Sequence, residues 1–145
     1  MAQGLPTALT AASGNEASSL LWQSMLNTQR LRIYTSSDVV GTETGGAVKN
    51  IMAIASGMTS ALGLGENARA ALVSRGLAEI MRLGEALGAH PLTLAGLAGM
   101  GDLVLTCYSA QSRNFRLGLA LGRGLSLEEA QREVGQVAEG AFTVR

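Results

Sequence analysis

The sequence predicts a mainly α-helical chain preceded by a small α/β segment. Two observations carry that expectation. From residue 38 onward, apolar residues recur at helical spacing, punctuated by helix caps and glycine stops. Before residue 37, two short runs of small and β-tolerant residues flank a single helical stretch. Aromatics supply only 3% of a chain that is 47% apolar, so the core must be built from Ala, Leu, Val, Ile and Met.

Residues 5–12 (LPTALTAA), led by Pro6, read as an edge strand, where proline is tolerated. Asn15 caps a helix through Trp22 to Leu26, with Glu16 in its first turn. Residues 31–35 (LRIYT) alternate and favour a strand. This β-α-β unit is too small to stand alone. It reads as the end of a larger sheet whose open edge invites aggregation or swapping, with Trp22 and Tyr34 in its core. Asp38 caps a long helix reaching about Leu62, which Gly63-Leu64-Gly65 stops. A second helix runs from about Glu66 to Leu87 and closes at Gly88, with Pro91 just beyond. A short helix starts at Pro91 and a polar–apolar stretch follows Gly101. Another helix runs from about Gln111 to Leu121, ending at Gly122 and Gly124. Ser126 and Glu129 form an S-x-x-E capping box for the last helix. The 19 glycines predict turns, caps and places where backbones or a ligand come close.

Composition narrows the function. A formal net charge of zero leaves no basic surplus for a nucleic acid or an anionic membrane, so any anion must be held by a local arrangement. One cysteine, Cys107, excludes an intrachain disulfide framework or a CxxC metal site, and one histidine, His90, argues against a histidine zinc centre. No metal is expected, and the thiol usage fits the cytoplasm. No apolar run is long enough for a membrane span, and the start MAQGLPTALT lacks the pattern of a secretory signal.

Two groups of residues have chemical potential. On the long helix, Val48, Ile51, Ala55, Met58 and Leu62 form an apolar stripe, and the opposite face carries Gly45, Lys49, Ala53, Ser56 and Ser60. A lysine among small side chains can be approached closely, and burial would lower its pKa toward a range useful for proton transfer. The competing reading is a lysine that snorkels to solvent. The second group is GMGDLVLTCY followed by QSRN. If the middle is helical, Asp102 and Thr106 share a face, and Asp102 either caps the helix or points into a cleft. Ser112, Arg113 and Asn114 gather donors near the next helix start, where free N–H groups and the dipole favour an anion and the arginine fork suits phosphate. Taken singly, Asp102 reads as well as an N-cap and Arg113 as a surface ion pair. Cys107 is expected to pack rather than react, and His90 to cap or lie at the surface.

The strings GLPTALTAAS, VVGTETGGAVKNIMAIASGM, ENARAALVSRGLAEIMRLGEALGA, AGMGDLVLTCYSAQSRNFRLG and GQVAEG, in this order, resemble bacterial NAD(P)-dependent glycerol-3-phosphate dehydrogenase. The resemblance implies a helical dehydrogenase domain, similar to the C-terminal domain of 6-phosphogluconate dehydrogenase, over residues 37–145, truncated at its end. Residues 1–36 would be the remnant of a Rossmann-type dinucleotide domain whose glycine-rich loop and second lysine are absent. It implies interconversion of dihydroxyacetone phosphate and sn-glycerol 3-phosphate with NAD or NADP, serving phospholipid synthesis. Lys49 takes the general acid–base role. Lys49, Asp102, Thr106, Ser112, Arg113 and Asn114 fall on substrate-binding positions, and Arg113, Val137 and Glu139 on cofactor contacts. Thr42 and Thr44 stand where the family more often has apolar residues. The chain alone is expected to be inactive, most of the cofactor site lying in the absent half, and a homodimer through helices or the sheet edge fits the pattern. A non-catalytic helical binding or oligomerisation module derived from that family is the alternative. A hydroxyacid or ketopantoate type of reductase fits less well, because its substrates carry no phosphate for Ser112, Arg113 and Asn114 to hold.

Overall fold

A computed structural model describes residues 4–135. Strand β1 (Thr7–Ala12) lies parallel to β2 (Leu31–Ser36), and helix α1 (Glu16–Leu26) makes the crossover between them. The Asn15 side chain accepts from the Ala17 N–H and starts α1, as its sequence predicts. The carbonyls of Arg30 and Ser36 accept from the N–H groups of Thr7 in β1 and of Ser13 just after it, so alternate residues of β2, Ile33 among them, turn their backbone the other way. That outer edge is not left open at Ile33. Its N–H donates to Asn27 Oδ1 at 2.7 Å and its carbonyl accepts from Gln23 Nε2 at 2.8 Å, so side chains of α1 and its C-terminal cap block the edge there. The expected core positions of Trp22 and Tyr34 are corrected. They are 54% and 52% exposed, because Ser19 and Ile33 take the buried places in this unit.

The rest of the described chain is helical: α2 (Val39–Ala61), α3 (Gly65–Ala86), α4 (Pro91–Ala95), a π-helical turn (Leu97–Gly101), α5 (Asp102–Tyr108), α6 (Arg113–Gly122) and α7 (Leu127–Val134). The predicted stops and caps hold. Gly88 closes α3 at φ +89, a conformation that a side chain would strain. His90 caps α4 through Nδ1, and Ser126 and Glu129 complete the capping box of α7 in both directions. Asp38 does more than cap. One carboxylate oxygen accepts from the Gly41 N–H and the other from the His90 N–H, each at 2.8 Å, which fastens the start of α2 to the start of α4.

Helix α2 is the axis on which α3, α5 and α6 pack, and its expected core stripe holds only in part: Val48, Ile51 and Ala55 are half-buried, Val48 packing against the core, but the most buried positions lie on the small-residue face. Met58 and Leu62 are exposed, whereas Gly45, Ala53, Ser56 and Gly57 are buried. The reason is distance between helices. A Cβ on Gly118 of α6 would run into the Ile54 carbonyl and stand 3.0 Å from the Gly57 Cα, and one on Gly122 would lie 2.7 Å from the Ala61 Cβ. Glycines that let backbones touch make the small face the inner one, which hydrophobicity alone does not reveal. Around it, Val73 and Ile80 of α3, Leu94 of α4, and Leu103 and Cys107 of α5 form one apolar core with Ala53. A second core holds α7 to α6 through Leu117, Ala120, Ala130 and Val134. Ser56 Oγ donates to the Cys107 carbonyl at 2.8 Å, pinning α5 to α2 from inside. Among the described residues no helix is long and apolar enough to cross a membrane.

Two expectations follow. The Gly41 N–H holds the Asp38 carboxyl below its ordinary 3.8, with the His90 N–H and the Thr93 hydroxyl adding to it and partial burial opposing. A depressed folded pKa means the contribution is complete above pH 3.8 and is lost as pH falls through the lower folded value. Replacing Asp38 with Ala should cost about 1–2 kcal/mol at neutral pH, read by urea unfolding, and the difference from wild type should shrink only in that acid range. Burial pushes the Cys107 thiol up to about 11, opposed by the Arg69 charge. Cys107 should therefore resist a thiol reagent such as iodoacetamide at pH 8 in the folded protein and react once urea unfolds it; fast labelling of the folded state would contradict this packing.

Candidate active site

The site grows from the close approach between α2 and the π-helical turn. At Gly45 the α2 backbone lies so near this turn that an added Cβ would stand 2.7 Å from the Ala98 carbonyl oxygen and 3.1 Å from the Gly99 Cα. Gly99 in turn sits against the Leu94 backbone, where a side chain would collide. The turn carries its register through a Gly101 N–H to Gly96 carbonyl bond of 3.1 Å and delivers Asp102 as the first residue of α5. One helical turn beyond Gly45 along α2 stands Lys49.

Lys49 Nζ donates to Asp102 Oδ2. The sequence leaves Asp102 either as a cap or as a group facing a cleft; in the structure Gly101 is the N-cap, and Asp102 lines a cavity with its carboxylate on Lys49. Thr106 shares the face of Asp102, as its spacing predicts. Its hydroxyl donates to the Asp102 carbonyl at 2.6 Å and lies 3.4 Å from Asp102 Oδ1. The small side chains expected around Lys49 do not enclose it. Its side chain is 23% exposed, since Gly45 faces the π-helical turn and Ala53 and Ser56 the helix core. A partner carboxylate, not a sleeve of small residues, fixes its position.

Lys49 opens onto two cavities. One, of ≈ 600 Å³, lies toward β1 and is mainly apolar, with walls from Leu9, Leu97, Ala98 and Leu105, but Thr7, Thr10, Thr42 and Asp102 also line it. The other, of ≈ 320 Å³, is polar and is lined by Thr106, Ser109, Gln111, Ser112, Arg113 and Asn114 besides Lys49 and its neighbours. Ser112 is the N-cap of α6, its Oγ accepting from the Phe115 N–H at 3.2 Å. Arg113 opens the first turn of that helix. Asn114 is buried and donates through Nδ2 to Asn50 Oδ1 at 3.0 Å. Lys49, Asp102, Thr106, Ser112, Arg113 and Asn114 are thus brought around one lysine, while Val137 and Glu139 lie outside the described residues.

Asn50 is the site residue that the sequence reading passed over. It lies five residues after Gly45 and three before Ala53, on the buried face of α2. Reading the glycine–alanine face as the inner one would have exposed an amide inside a helix interface, which requires a polar partner. Ser109 and Gln111 are likewise unassigned in the sequence and reach the cavity because they belong to the short connection between α5 and α6. Among the described residues no group of three or more His, Cys, Asp and Glu side chains gathers that could hold a metal ion.

The family model described as NAD-dependent glycerol-3-phosphate dehydrogenase C-terminus matches residues 38–145. Over 145 residues the chain is 56% identical to a glycerol-3-phosphate dehydrogenase [NAD(P)+] of Aromatoleum aromaticum and 57% identical to that of Thioalkalivibrio sulfidiphilus. Each match covers 100% of this chain and 44% of the relative, so the chain spans less than half the length of these curated relatives. A crystal structure of glycerol-3-phosphate dehydrogenase from Coxiella burnetii matches with a TM-score of 0.94 at 52% identity, over 97% of this chain and 43% of that one.

Proposed function

The chain belongs to the NAD-dependent glycerol-3-phosphate dehydrogenase family, and from that premise we propose that it forms the substrate-binding, catalytic half of such an enzyme. The reaction is the interconversion of dihydroxyacetone phosphate and sn-glycerol 3-phosphate in the cytoplasm. The observation that carries the reading is the place of Lys49, paired with Asp102 and standing between an apolar cavity and a polar one that Arg113 lines.

Reducing a ketone builds negative charge on its oxygen, and a positioned acid lowers the barrier by donating a proton there. Lys49 Nζ gives that proton to the oxygen on C2 of dihydroxyacetone phosphate and takes one from the hydroxyl in the reverse direction. Asp102 holds the ammonium in place, and the Thr106 hydroxyl fixes the first turn of α5 from which Asp102 projects. The substrate phosphate goes to the polar cavity. Arg113 supplies a two-pronged donor there, Ser112 and Asn114 flank it, and the N-terminus of α6 favours the anion. Because the phosphate is remote from the reacting carbon, its binding orients the carbonyl against Lys49.

NAD(P)H supplies the hydride when bound. The donor set available for it fits. The guanidinium of Arg113 suits an anionic group, and the cavity walls of Leu9, Leu97, Ala98 and Leu105 suit a flat ring that must be shielded from water. Arg113, Val137 and Glu139 would hold it from this chain, and turnover requires a dinucleotide-binding half to complete the site.

With the chain joined to that half, replacing Lys49 with Ala should lower kcat/KM by about 10²–10⁴-fold and leave the melting temperature within a few degrees of wild type. Arg113→Ala should raise KM for dihydroxyacetone phosphate more than it lowers kcat. Near-normal turnover in a folded Lys49→Ala enzyme would remove Lys49 from the chemistry.

A further inference from the structure

Arg69, in the second turn of α3, contributes to neither cavity described above, yet its side chain is only 12% exposed. Its Nη1 reaches the exposed Glu66 carboxylate at 3.2 Å, an ion pair that would form equally well at the surface. Burial puts the guanidinium elsewhere. Its central carbon lies 4.1 Å from the centroid of the Tyr108 ring and 5.7 Å from that of Phe115. Meanwhile Nε is shielded from solvent and has no hydrogen-bond partner among the described residues. An arginine that gives up hydration at Nε to lie against two rings is placed there by those contacts.

The two rings have particular positions in the chain. Tyr108 is the last residue of α5 and Phe115 lies in the first turn of α6. Between them run the residues that carry Ser112, Arg113 and Asn114. Within the connection, the Ser109 N–H donates to the Leu105 carbonyl at 3.1 Å, the Ser112 N–H to the Ser109 carbonyl at 3.0 Å and the Gln111 N–H to Ser109 Oγ at 3.2 Å, all local bonds, while Asn114 just beyond is tied to Asn50 of α2. Arg69 therefore grips the connection at both ends from a third helix.

We propose that Arg69 is a positioning residue, a clamp between Tyr108 and Phe115 that presents Ser112, Arg113 and Asn114 to the phosphate as a preformed set. The inference rests on the functional reading above and adds to it the element that orders the phosphate-binding segment. A planar guanidinium can face both rings at once, whereas an ammonium reaches one, so lysine replaces only part of the clamp.

In the complete dehydrogenase, Arg69→Met and Arg69→Lys are compared with wild type by steady-state kinetics and by amide hydrogen exchange. Arg69→Met should raise KM for dihydroxyacetone phosphate about tenfold while kcat changes by less than about threefold. Exchange at residues 109–114 should accelerate while the α2 core amides at 53–57 keep their protection. Arg69→Lys should recover part of the KM loss. If Arg69→Met does not fold, Tyr108→Leu removes one ring at a half-exposed position and carries the same expectation. Folded variants with wild-type KM and wild-type exchange would overturn the proposal. So would a loss confined to kcat and overall stability with residues 109–114 no more labile than the core. A wild-type enzyme inert toward dihydroxyacetone phosphate and glycerol 3-phosphate would strike the functional reading instead, and the exchange comparison would then decide the clamp by itself.

Discussion

Backbone-to-backbone approach along one face of α2 is the constraint on which the rest of this molecule depends. Gly45 admits the π-helical turn, and Gly57 with Gly118 admits α6. Both contacts need positions without a Cβ, because each added Cβ would meet main-chain atoms that cannot rotate away. Beside these contacts Val48, Met52 and Ile54 of α2 pack against the two apolar cores, to which its neighbours add larger buried side chains such as Ile80, Leu94, Leu103 and Leu117.

The same economy builds the site. A helix with a narrow inner face can have three elements around it within a few residues. The turn at Gly45 brings Asp102 to Lys49, and the start of α6 brings Asn114 to Asn50. Lys49 and Asn50 of α2 thus meet Asp102 and Asn114 from more than fifty residues further along the chain, each set by a rigid helix rather than by a long loop. The π-helical turn has a specific part in this: its wider hydrogen bond, from the Gly101 N–H to the Gly96 carbonyl, closes immediately before α5 and fixes where Asp102 begins.

Much of this was legible in the residues. Asn15, Asp38, Gly88 and the Ser126–Glu129 pair mark their helix ends by local chemistry, and local chemistry is what a single sequence displays best. The spacing of Asp102 and Thr106 likewise told that they share a face. What failed was the ranking of the α2 faces, because Val48, Ile51 and Ala55 of the expected stripe are half-buried while the fully buried positions are small residues. The larger residues of the helix, Met58 and Leu62, suggested a core stripe by hydrophobicity, while the real core face is written in glycines whose value lies in the helix that approaches them. Asn50 was lost with that face. Trp22 and Tyr34 misled for a related reason: large apolar rings suggest a core, but the space between α1 and the strands is filled by Ser19 and Ile33.

The measurement that tests this account most directly is kcat/KM of Gly45→Ala in the complete dehydrogenase, normalised to the folded fraction. The added methyl meets the Ala98 carbonyl and must displace the π-helical turn that carries Asp102. A shift of this kind should lower kcat/KM by about tenfold or more while the helical circular dichroism persists. A folded Gly45→Ala enzyme with wild-type kcat/KM would contradict the claim that this close approach sets the lysine–carboxylate pair.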